Sequence, residues 1–339
     1  MTNLFCAACR VTEEDGSYTP ARFTARQLAA LGALHPMYER FGRCAAGVSL
    51  SFYTDAPEIS FDLVTEPLYT RFTGLDVYEN GLLTECRKLP EKAALTPVVY
   101  RKRSPGEALL EFYLPANAQA TVRNPQLGHY RPADGADRPQ VLYYGDSLTQ
   151  SAYTDTPSLS FPTLLSRWTN TRFLNRGVGS LYYDASTLDD AEALSPAVVF
   201  AEFGCNDVVR RENGEVVFRD GVYQCWRPNE LDPLLEKAEA YLARLRALYP
   251  KAAILPVSFP WITPDPARPD VAETRAAYRE RQLALFDRMG FSCVPGDALT
   301  PHLPEFRTED GTHFNTLGSY ACAAAYLPFL NRALQDKNI

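Results

Sequence analysis

The sequence lacks the marks of several protein classes. None of its apolar runs is long enough to span a bilayer, and the first nine of its 339 residues contain no lysine or arginine and no long apolar core. A cytoplasmic protein without a membrane partner is therefore expected. Basic residues form no cluster, and a formal net charge of -7 argues against a nucleic-acid partner.

Metal-ligand spacing is lacking as well. Cys6 and Cys9 form one C-x-x-C pair, but neither a second pair nor histidines at ligand spacing accompany it. The eight cysteines show no regular spacing, so reduced and mostly buried thiols are expected rather than disulfides. We expect neither a metal site nor a cofactor.

The composition is that of a folded globular protein, with 46% hydrophobic and 22% charged residues. In the N-terminal half, apolar residues alternate with polar or small ones in short segments, as in Ile59, Phe61 and Leu63. Turn residues such as Glu79-Asn80-Gly81 separate these segments. The pattern predicts an antiparallel β-sandwich domain over residues 1–135, with a short helix near Ala25 to Leu34 in the segment that leads into these strands.

A polar stretch rich in Pro, Gly and Asp separates the two halves, and the pattern then changes to alternating strands and helices. This alternation predicts a three-layer α/β/α domain with a parallel sheet over residues 139–339. The predicted strands are 141–144, 172–175, 197–203 and 253–257, and the predicted helices are 161–168, 231–248, 271–289 and 317–334. Ligand sites in such sheets lie at the carboxyl ends of the strands.

Two motifs provide a nucleophile and a base. Gly145-Asp146-Ser147 follows the first of these strands and places Ser147 near a helix N-terminus, which favours developing negative charge. Read alone, this triplet is more often an ordinary turn than a catalytic site. In Asp310-Gly311-Thr312-His313, the carboxylate precedes the imidazole by three residues and can hold its Nδ1–H, which leaves Nε2 free as a base.

Two further motifs lie between them along the chain. Asn175-Arg176-Gly177-Val178-Gly179-Ser180 partly resembles a dinucleotide fingerprint, but Tyr182 occupies the third glycine position. The alternative is a loop whose backbone N–H points into the site. In Gly204-Cys205-Asn206-Asp207, the Asn206 amide is a candidate oxyanion donor, or else the residue is a helix N-cap.

The order of the four motifs resembles blocks I, II, III and V of the SGNH hydrolases, also called GDSL esterases or lipases. The resemblance covers the chain from about Gln140 to the C-terminus. It implies a catalytic triad of Ser147, Asp310 and His313. The implied oxyanion donors are the Ser147 N–H, the Asn206 side chain and an N–H from either Gly179 or Ser180, since Ser180 replaces the final glycine of the second block.

A shorter signature is present in the N-terminal half. Thr73-Gly74-Leu75-Asp76-Val77-Tyr78 resembles the Gly-x-Asp-Leu-Tyr signature of β-domains that precede some bacterial SGNH hydrolases. The layout also resembles family 2 carbohydrate esterases, which carry a jelly-roll-like β-domain and act on acetylated sugars. Sugar binding, shaping of the active-site mouth and assembly into a homo-oligomer remain open as roles for this domain.

These patterns together predict a serine esterase that removes short acyl groups, acetyl above all, from a small-molecule or oligosaccharide ester. The candidates for the substrate pocket are Asp146, Trp226 in the long loop from Val208 to Asn229, and Trp261 after the last predicted strand. Both tryptophans are equally compatible with a core or interface position. The alternatives are a lipolytic esterase or thioesterase of the same superfamily, and a non-catalytic carbohydrate-binding protein.

Overall fold

The computed structural model describes residues 1–68, 72–133, 137–189, 194–212, 214–219 and 222–337. The strands of its N-terminal half are β1 (Phe5–Cys6), β2 (Arg10–Glu14), β3 (Ser17–Ala21), β4 (Ser49–Thr54), β5 (Glu58–Pro67), β6 (Gly74–Glu79), β7 (Leu82–Lys88), β8 (Ala94–Arg101), β9 (Ala108–Tyr113), β10 (Ala118–Gln126) and β11 (Tyr130–Pro132). Those of the second half are β12 (Gln140–Gly145), β13 (Arg172–Gly177), β14 (Val198–Glu202), β15 (Arg211–Glu212), β16 (Glu215–Val216), β17 (Phe218–Arg219), β18 (Val222–Tyr223) and β19 (Ala253–Val257). The α-helices are α1 (Ala25–Leu34), α2 (Pro36–Arg43), α3 (Ser147–Gln150), α4 (Phe161–Thr169), α5 (Asp232–Leu248), α6 (Pro269–Arg288) and α7 (Thr316–Gln335).

Two antiparallel sheets form the N-terminal half. One has the order β1-β4-β9-β6-β7 with β11 beside β4, and the other has the order β2-β3-β10-β5-β8. Along β5, Ile59, Phe61 and Leu63 are buried and alternate with more exposed residues. Phe61 of one sheet meets Phe112 of the other edge to face, with ring centroids 5.3 Å apart. The predicted antiparallel β-sandwich is confirmed, and its apolar core lies between the two sheets.

The turn between β6 and β7 shows how local sequence sets the sandwich. Asn80 and Gly81 both have positive φ, of 50° and 81°. A two-residue hairpin turn with both central residues in the left-handed region matches the twist of the flanking strands, and Asn-Gly adopts it most readily. The predicted turn at Glu79-Asn80-Gly81 is therefore confirmed.

The second half is built on a parallel sheet with the order β13-β12-β14-β19. In this sheet Gly145 at the end of β12 is level with Gly177 on one side and Glu202 on the other. The carboxyl ends of the three strands therefore meet at one edge, which carries three of the four motifs. The helices and strands predicted for this half are confirmed, with bounds shifted by no more than two residues.

Helices cover both faces of the parallel sheet. Val141 and Tyr143 face the apolar cluster that α4 and α7 contribute to, and Leu142 and Tyr144 face the cluster that contains α5. Helices α1 and α2 also pack in this second cluster. The predicted three-layer α/β/α arrangement is confirmed, and α1 and α2, which lie between β3 and β4 in the chain, pack on the parallel sheet rather than inside the sandwich.

Helix α1 matches its predicted bounds. Thr24 caps its N-terminus, with its side chain accepting from the Gln27 N–H while the Gln27 side chain accepts from the Thr24 N–H. This reciprocal capping fixes where the helix begins.

The predicted domain boundary after residue 135 lies outside the described residues. The stretch from 208 to 229, expected to be a loop, instead contains β15 to β18 in two short hairpins. Two-residue strands are too short to show a period in the sequence. The thiols are less buried than expected: of the eight, only Cys44, Cys205 and Cys322 are buried.

No helix in the described part of the chain combines the length and the apolar character that crossing a membrane requires.

Candidate active site

The nucleophile motif forms a tight turn between β12 and α3. A Cβ on Gly145 would lie 2.1 Å from the Thr149 Oγ1 and 2.7 Å from the Glu202 backbone oxygen, so only glycine fits there. Asp146 is the N-cap of α3 and Ser147 is its first residue. Ser147 keeps 9% of its surface exposed. The turn therefore brings the Ser147 hydroxyl to the carboxyl edge of the sheet, beside a helix N-terminus.

Ser147, His313 and Asp310 form one chain of hydrogen bonds. The His313 Nε2 lies 2.8 Å from the Ser147 Oγ, and the His313 Nδ1 lies 2.6 Å from the Asp310 Oδ2. A carboxylate facing Nδ1 holds the imidazole proton on that nitrogen, so the Nε2 lone pair faces the serine hydroxyl. The structure thus brings together the three residues that the sequence analysis singled out as a triad.

Local hydrogen bonds hold the Asp310 side chain in this position. Its Oδ1 accepts from the backbone N–H of Thr312 at 2.8 Å and of His313 at 3.0 Å, and from the Thr308 Oγ1 at 2.8 Å. Burial alone would raise the pKa of the Asp310 carboxyl, but the interactions with His313 and Thr312 outweigh it and hold that pKa well below its usual range. Asp310 is therefore a carboxylate at any neutral pH.

Asp146 links the nucleophile turn to the third motif. Its Oδ1 accepts from the Leu148 N–H at 2.9 Å, and its Oδ2 accepts from the Asn206 Nδ2 at 3.0 Å. Asp146 has no exposed surface. Burial, with a further contribution from the Asp207 charge, raises the pKa of Asp146 to about 7 against the opposing effect of these hydrogen bonds. Asp146 thus lies behind the site and orients the Asn206 amide, which has a second N–H to donate.

The second motif lies beside the nucleophile helix. The Gly179 N–H donates to the Gln150 Oε1 at 2.7 Å, so it is engaged within the protein. Ser180 has a φ of 62°, a left-handed conformation that glycine adopts most easily. A Cβ on Gly177 would lie 2.2 Å from the Gln150 backbone nitrogen. The loop therefore packs tightly against α3 and needs its glycine at 177.

A buried arginine from the N-terminal segment holds this loop from behind. Arg22 has no exposed surface, and burial lowers its pKa to about 9, which leaves it charged at neutral pH. Its guanidinium donates to the backbone oxygens of Asn175 and Gly177 at 2.8 Å each, and to those of Phe41 and Cys44 at 2.7 and 2.6 Å. Arg22 was not among the predicted site residues, because nothing near it in the sequence marks it as buried.

A second arginine, in strand β15, bridges the two motifs on the other side. The Arg211 Nη1 donates to the Asn206 backbone oxygen at 2.6 Å, and its Nη2 donates to the Ser180 backbone oxygen at 3.3 Å. Its guanidinium also lies over the Tyr182 ring, 5.0 Å from the centroid. Arg211 thus connects the two loops proposed by sequence to supply oxyanion donors. It lies in the stretch that sequence analysis read as a loop.

An aromatic ring that sequence analysis missed covers the histidine. The Tyr153 ring stacks on the His313 ring, with centroids 3.7 Å apart and planes within 16°. Both residues line a small cavity against Ser147, together with Ala152 and Phe314. The volume of this cavity is about 10 Å³, close to what one ordered water needs.

The two candidate tryptophans lie in different surroundings. The Trp226 ring packs beside the apolar core under the guanidinium of Arg210, which is 4.8 Å from its centroid. Trp261 stacks on His302 with ring centroids 5.0 Å apart. Two residues further along, the Thr263 N–H donates to the backbone oxygen of Gly311, next to Asp310, at 2.9 Å. The segment of Trp261 therefore lies beside the Asp310 turn, whereas the Trp226 ring packs against the core and Arg210.

Comparison with solved structures shows the same fold across nearly the whole chain. A salicylyl-acyltransferase from a tetracycline biosynthetic pathway is 17% identical with a TM-score of 0.77, covering 99% of this chain and 94% of that chain. A Bacteroides ovatus protein proposed to be a GDSL-like lipase is 18% identical with a TM-score of 0.72, covering 98% and 96%. A family two carbohydrate esterase from Cellvibrio japonicus is 14% identical with a TM-score of 0.64, covering 98% and 96%. At these identities the likeness concerns the fold.

Comparison of sequences gives a narrower result. No curated protein matches the sequence. The family model of the GDSL-like lipases/acylhydrolases matches residues 143–321, which is more than half of the chain and includes all four motifs. The protein therefore belongs to the GDSL-like lipase/acylhydrolase family.

Proposed function

We propose that the protein is a serine esterase in which Ser147 attacks an ester carbonyl, His313 acts as general base and Asp310 orients the imidazole. The observation that carries this proposal is the hydrogen-bond chain from the Asp310 Oδ2 through His313 to the Ser147 Oγ, with distances of 2.6 and 2.8 Å. A serine hydroxyl is a weak nucleophile until an adjacent base takes its proton, and this arrangement supplies that base.

The chemistry proceeds in two stages. As the Ser147 Oγ bonds to the acyl carbon, its proton moves to the His313 Nε2, and the carbonyl oxygen becomes an oxyanion. When the intermediate collapses, the leaving alcohol takes that proton from His313 and an acyl-serine remains. Water then attacks the acyl-serine with the same base, which releases the carboxylic acid and restores Ser147.

Three donors stabilise the oxyanion in this mechanism: the Ser147 N–H, the Asn206 side chain and the Ser180 N–H. Ser180 is favoured over Gly179 because the Gly179 N–H already donates to the Gln150 side chain. The left-handed φ of Ser180 also fits a position where the family motif has glycine. Such donors act strongly because they are fixed before the charge develops.

The acyl group is short in this proposal, with acetyl as the first candidate. A long acyl chain would need an apolar channel, and no apolar loop in the sequence suggests one. The alcohol part is proposed to be a carbohydrate, which the likeness in fold to a family two carbohydrate esterase supports.

The first test compares the wild type and Ser147→Ala on an aryl acetate. We expect turnover by the wild type and a loss of roughly 10⁴- to 10⁶-fold in the variant, since removing the nucleophile of such a triad leaves only the contribution of binding and the oxyanion hole. Equal activity of the two proteins would identify another nucleophile. No activity in either would contradict the proposed esterase reaction on this substrate class.

A second panel separates the alternatives. Acetyl, butyryl and octanoyl esters of one aryl alcohol, followed by acetylated monosaccharides and oligosaccharides, distinguish a short-chain esterase from a lipolytic enzyme or thioesterase. We expect kcat/KM to fall steeply as the acyl chain lengthens. Sugar binding by calorimetry without ester turnover would favour a non-catalytic carbohydrate-binding protein.

A further inference from the structure

The chain segment that follows α3 is held by the β-sandwich. A Cβ on Gly74, the first residue of β6, would lie 1.6 Å from the Asp155 backbone oxygen, so glycine is required for this close approach. On the same strand, the Asp76 Oδ2 accepts from the Ser158 N–H at 2.9 Å and from the Ser158 hydroxyl at 2.6 Å. The glycine and the aspartate of the Gly-x-Asp signature therefore both contact the catalytic half.

Two further contacts from the sandwich hold the same segment. The Asn117 Nδ2 lies 3.5 Å from the Thr154 backbone oxygen. The Phe72 ring lies against the Tyr153 ring, with centroids 5.0 Å apart. Residues 153–158 are thus fixed at four places by residues of the sandwich half, and this segment carries the ring that stacks on His313.

The stacked ring is suited to the charge that His313 acquires. When the imidazole takes the Ser147 proton it becomes a cation, and the negative face of an aromatic ring attracts a cation. Tyr153 and His313 are 3.7 Å apart between centroids and nearly parallel, so the whole imidazole ring lies over this face. The attraction is greatest in the transition state and the intermediate, which is the condition for raising kcat.

We propose that Tyr153 is a catalytic residue that stabilises protonated His313, and that the β-sandwich holds it in place through Gly74 and Asp76. This inference rests on the proposed serine esterase function. Tyr153 neither gives nor takes a proton: the proton moves from the Ser147 Oγ to the His313 Nε2 and onward to the leaving alcohol, while the Tyr153 ring stays in contact with the imidazole.

The test begins with Tyr153→Leu and Tyr153→Phe on an aryl acetate. Leucine removes the π face, so we expect kcat to fall roughly 3- to 30-fold with KM changed less than about twofold. Phenylalanine keeps the face, so its kcat should stay close to that of the wild type. The matched control is Tyr130→Leu, at an exposed tyrosine on β11, which should leave both constants unchanged.

A double-mutant cycle tests the role of the sandwich. Asp76→Ala removes both hydrogen bonds to Ser158 and should lower kcat in the wild-type background. In the Tyr153→Leu background, Asp76→Ala should lower kcat no further. If Asp76 acts through Tyr153, the effects of the two substitutions on kcat do not add. Thermal unfolding of each variant verifies that it is folded.

The outcomes separate this inference from the proposed function on which it rests. An active wild type and an inactive Ser147→Ala variant, with Tyr153→Leu matching Tyr130→Leu in kcat, would overturn only the role of Tyr153. A rise in KM without loss of kcat in Tyr153→Leu would make it a substrate-binding residue and also overturn the inference. If the fold-losses in kcat of Tyr153→Leu and Asp76→Ala multiply in the double variant, the role of Asp76 would be refuted. A wild type inactive on every ester would refute the proposed function itself.

Discussion

The two sides of the candidate active site are held in different ways. On the histidine side, Asp310 and His313 lie three residues apart, and the hydrogen bonds that fix them come from the same turn, between Thr308 and His313. On the side of the proposed oxyanion donors, the second motif is held by a residue distant in sequence, and the Asn206 amide of the third motif donates to the distant Asp146. Arg22 reaches Asn175 and Gly177 from the N-terminal segment.

This difference separates what a short motif can fix from what it cannot. A carboxylate three residues before a histidine turns back through hydrogen bonds to its own backbone, so the pair is set locally. The proposed oxyanion donors come from separate loops, and their relative position depends on contacts such as those of Arg211, which donates to the backbone oxygens of both Asn206 and Ser180. A substitution on the histidine side should therefore lower activity with little change in stability. A substitution of a residue that supports the oxyanion side from a distance should lower both.

The largest effect is expected on the histidine side. Asp310→Asn keeps the shape of the side chain, but its amide no longer holds the proton on the His313 Nδ1. We expect kcat on an aryl acetate to fall by roughly 10⁴-fold with little change in KM, because the imidazole takes the wrong tautomer. Thermal unfolding should change little. A loss of less than tenfold would mean that Asp310 does not orient the base.

A smaller loss is expected on the oxyanion side. Asn206→Ala removes one donor, so kcat should fall by roughly 100- to 1000-fold with a modest change in KM. Steady-state kinetics on the same ester measures this. Asn229→Ala, at an exposed position in the same half of the chain, is the matched control and should be silent. An unchanged kcat in Asn206→Ala would remove this residue from the oxyanion hole.

A third substitution tests the long-range support directly. Arg22→Met leaves four buried backbone oxygens without their donor. Since an unsatisfied buried acceptor costs about 1–3 kcal/mol, the free energy of unfolding should fall by about 3 kcal/mol or more. We also expect kcat to fall by roughly tenfold. Without Arg22 the second motif shifts, and its proposed donor, the Ser180 N–H, stabilises the oxyanion less well.

Denaturant unfolding and kinetics on the same preparation provide both measurements for Arg22→Met. A variant that loses stability but keeps the wild-type kcat would show that the second motif holds its geometry without Arg22. That result would remove the contrast between the two sides of the site.

The smallest effect is expected at a comparable buried group away from the site. Glu79 accepts hydrogen bonds from the N–H of Arg103 and Ser104 and from the Tyr100 hydroxyl. Burial alone would raise its pKa, but these donors outweigh burial and lower the pKa of Glu79 to about 2. Glu79→Gln should cost about 1–2 kcal/mol of unfolding free energy at neutral pH and leave kcat unchanged.

The pH dependence of this loss has a definite sign. Because the pKa of Glu79 is lower in the folded chain than its ordinary value of 4.5, its contribution is fully present above pH 4.5 and is lost as pH falls toward 2. The stability difference between the wild type and Glu79→Gln should therefore shrink across that window in denaturant titrations. A difference that stays constant would show that the carboxylate charge contributes nothing.

Prediction from sequence succeeded where a local pattern decides the structure. The alternation of Ile59, Phe61 and Leu63 predicted a strand with one buried face, and the Asn80-Gly81 pair predicted the hairpin turn. Strands β15 to β18 were missed because two residues do not establish a period.

Among the residues at the site, Arg22, Tyr153 and Arg211 were missed for another reason. No spacing or motif distinguishes a buried arginine that donates to backbone oxygens from an exposed one. Tyr153 is six residues from the nucleophile, but its contact with His313 depends on a segment that the sandwich fixes through Asp76.

The sequence by itself determined the layers of both halves, the turn at Gly145 and the Asp310–His313 pair, because periodicity, glycine sterics and short-range hydrogen bonds act between neighbours in the chain. Only the tertiary structure decided that Ser147 meets His313 at 2.8 Å and that Arg22 lies behind the second motif. Those contacts join residues far apart in the chain, and they form only when the cores on both faces of the parallel sheet have packed.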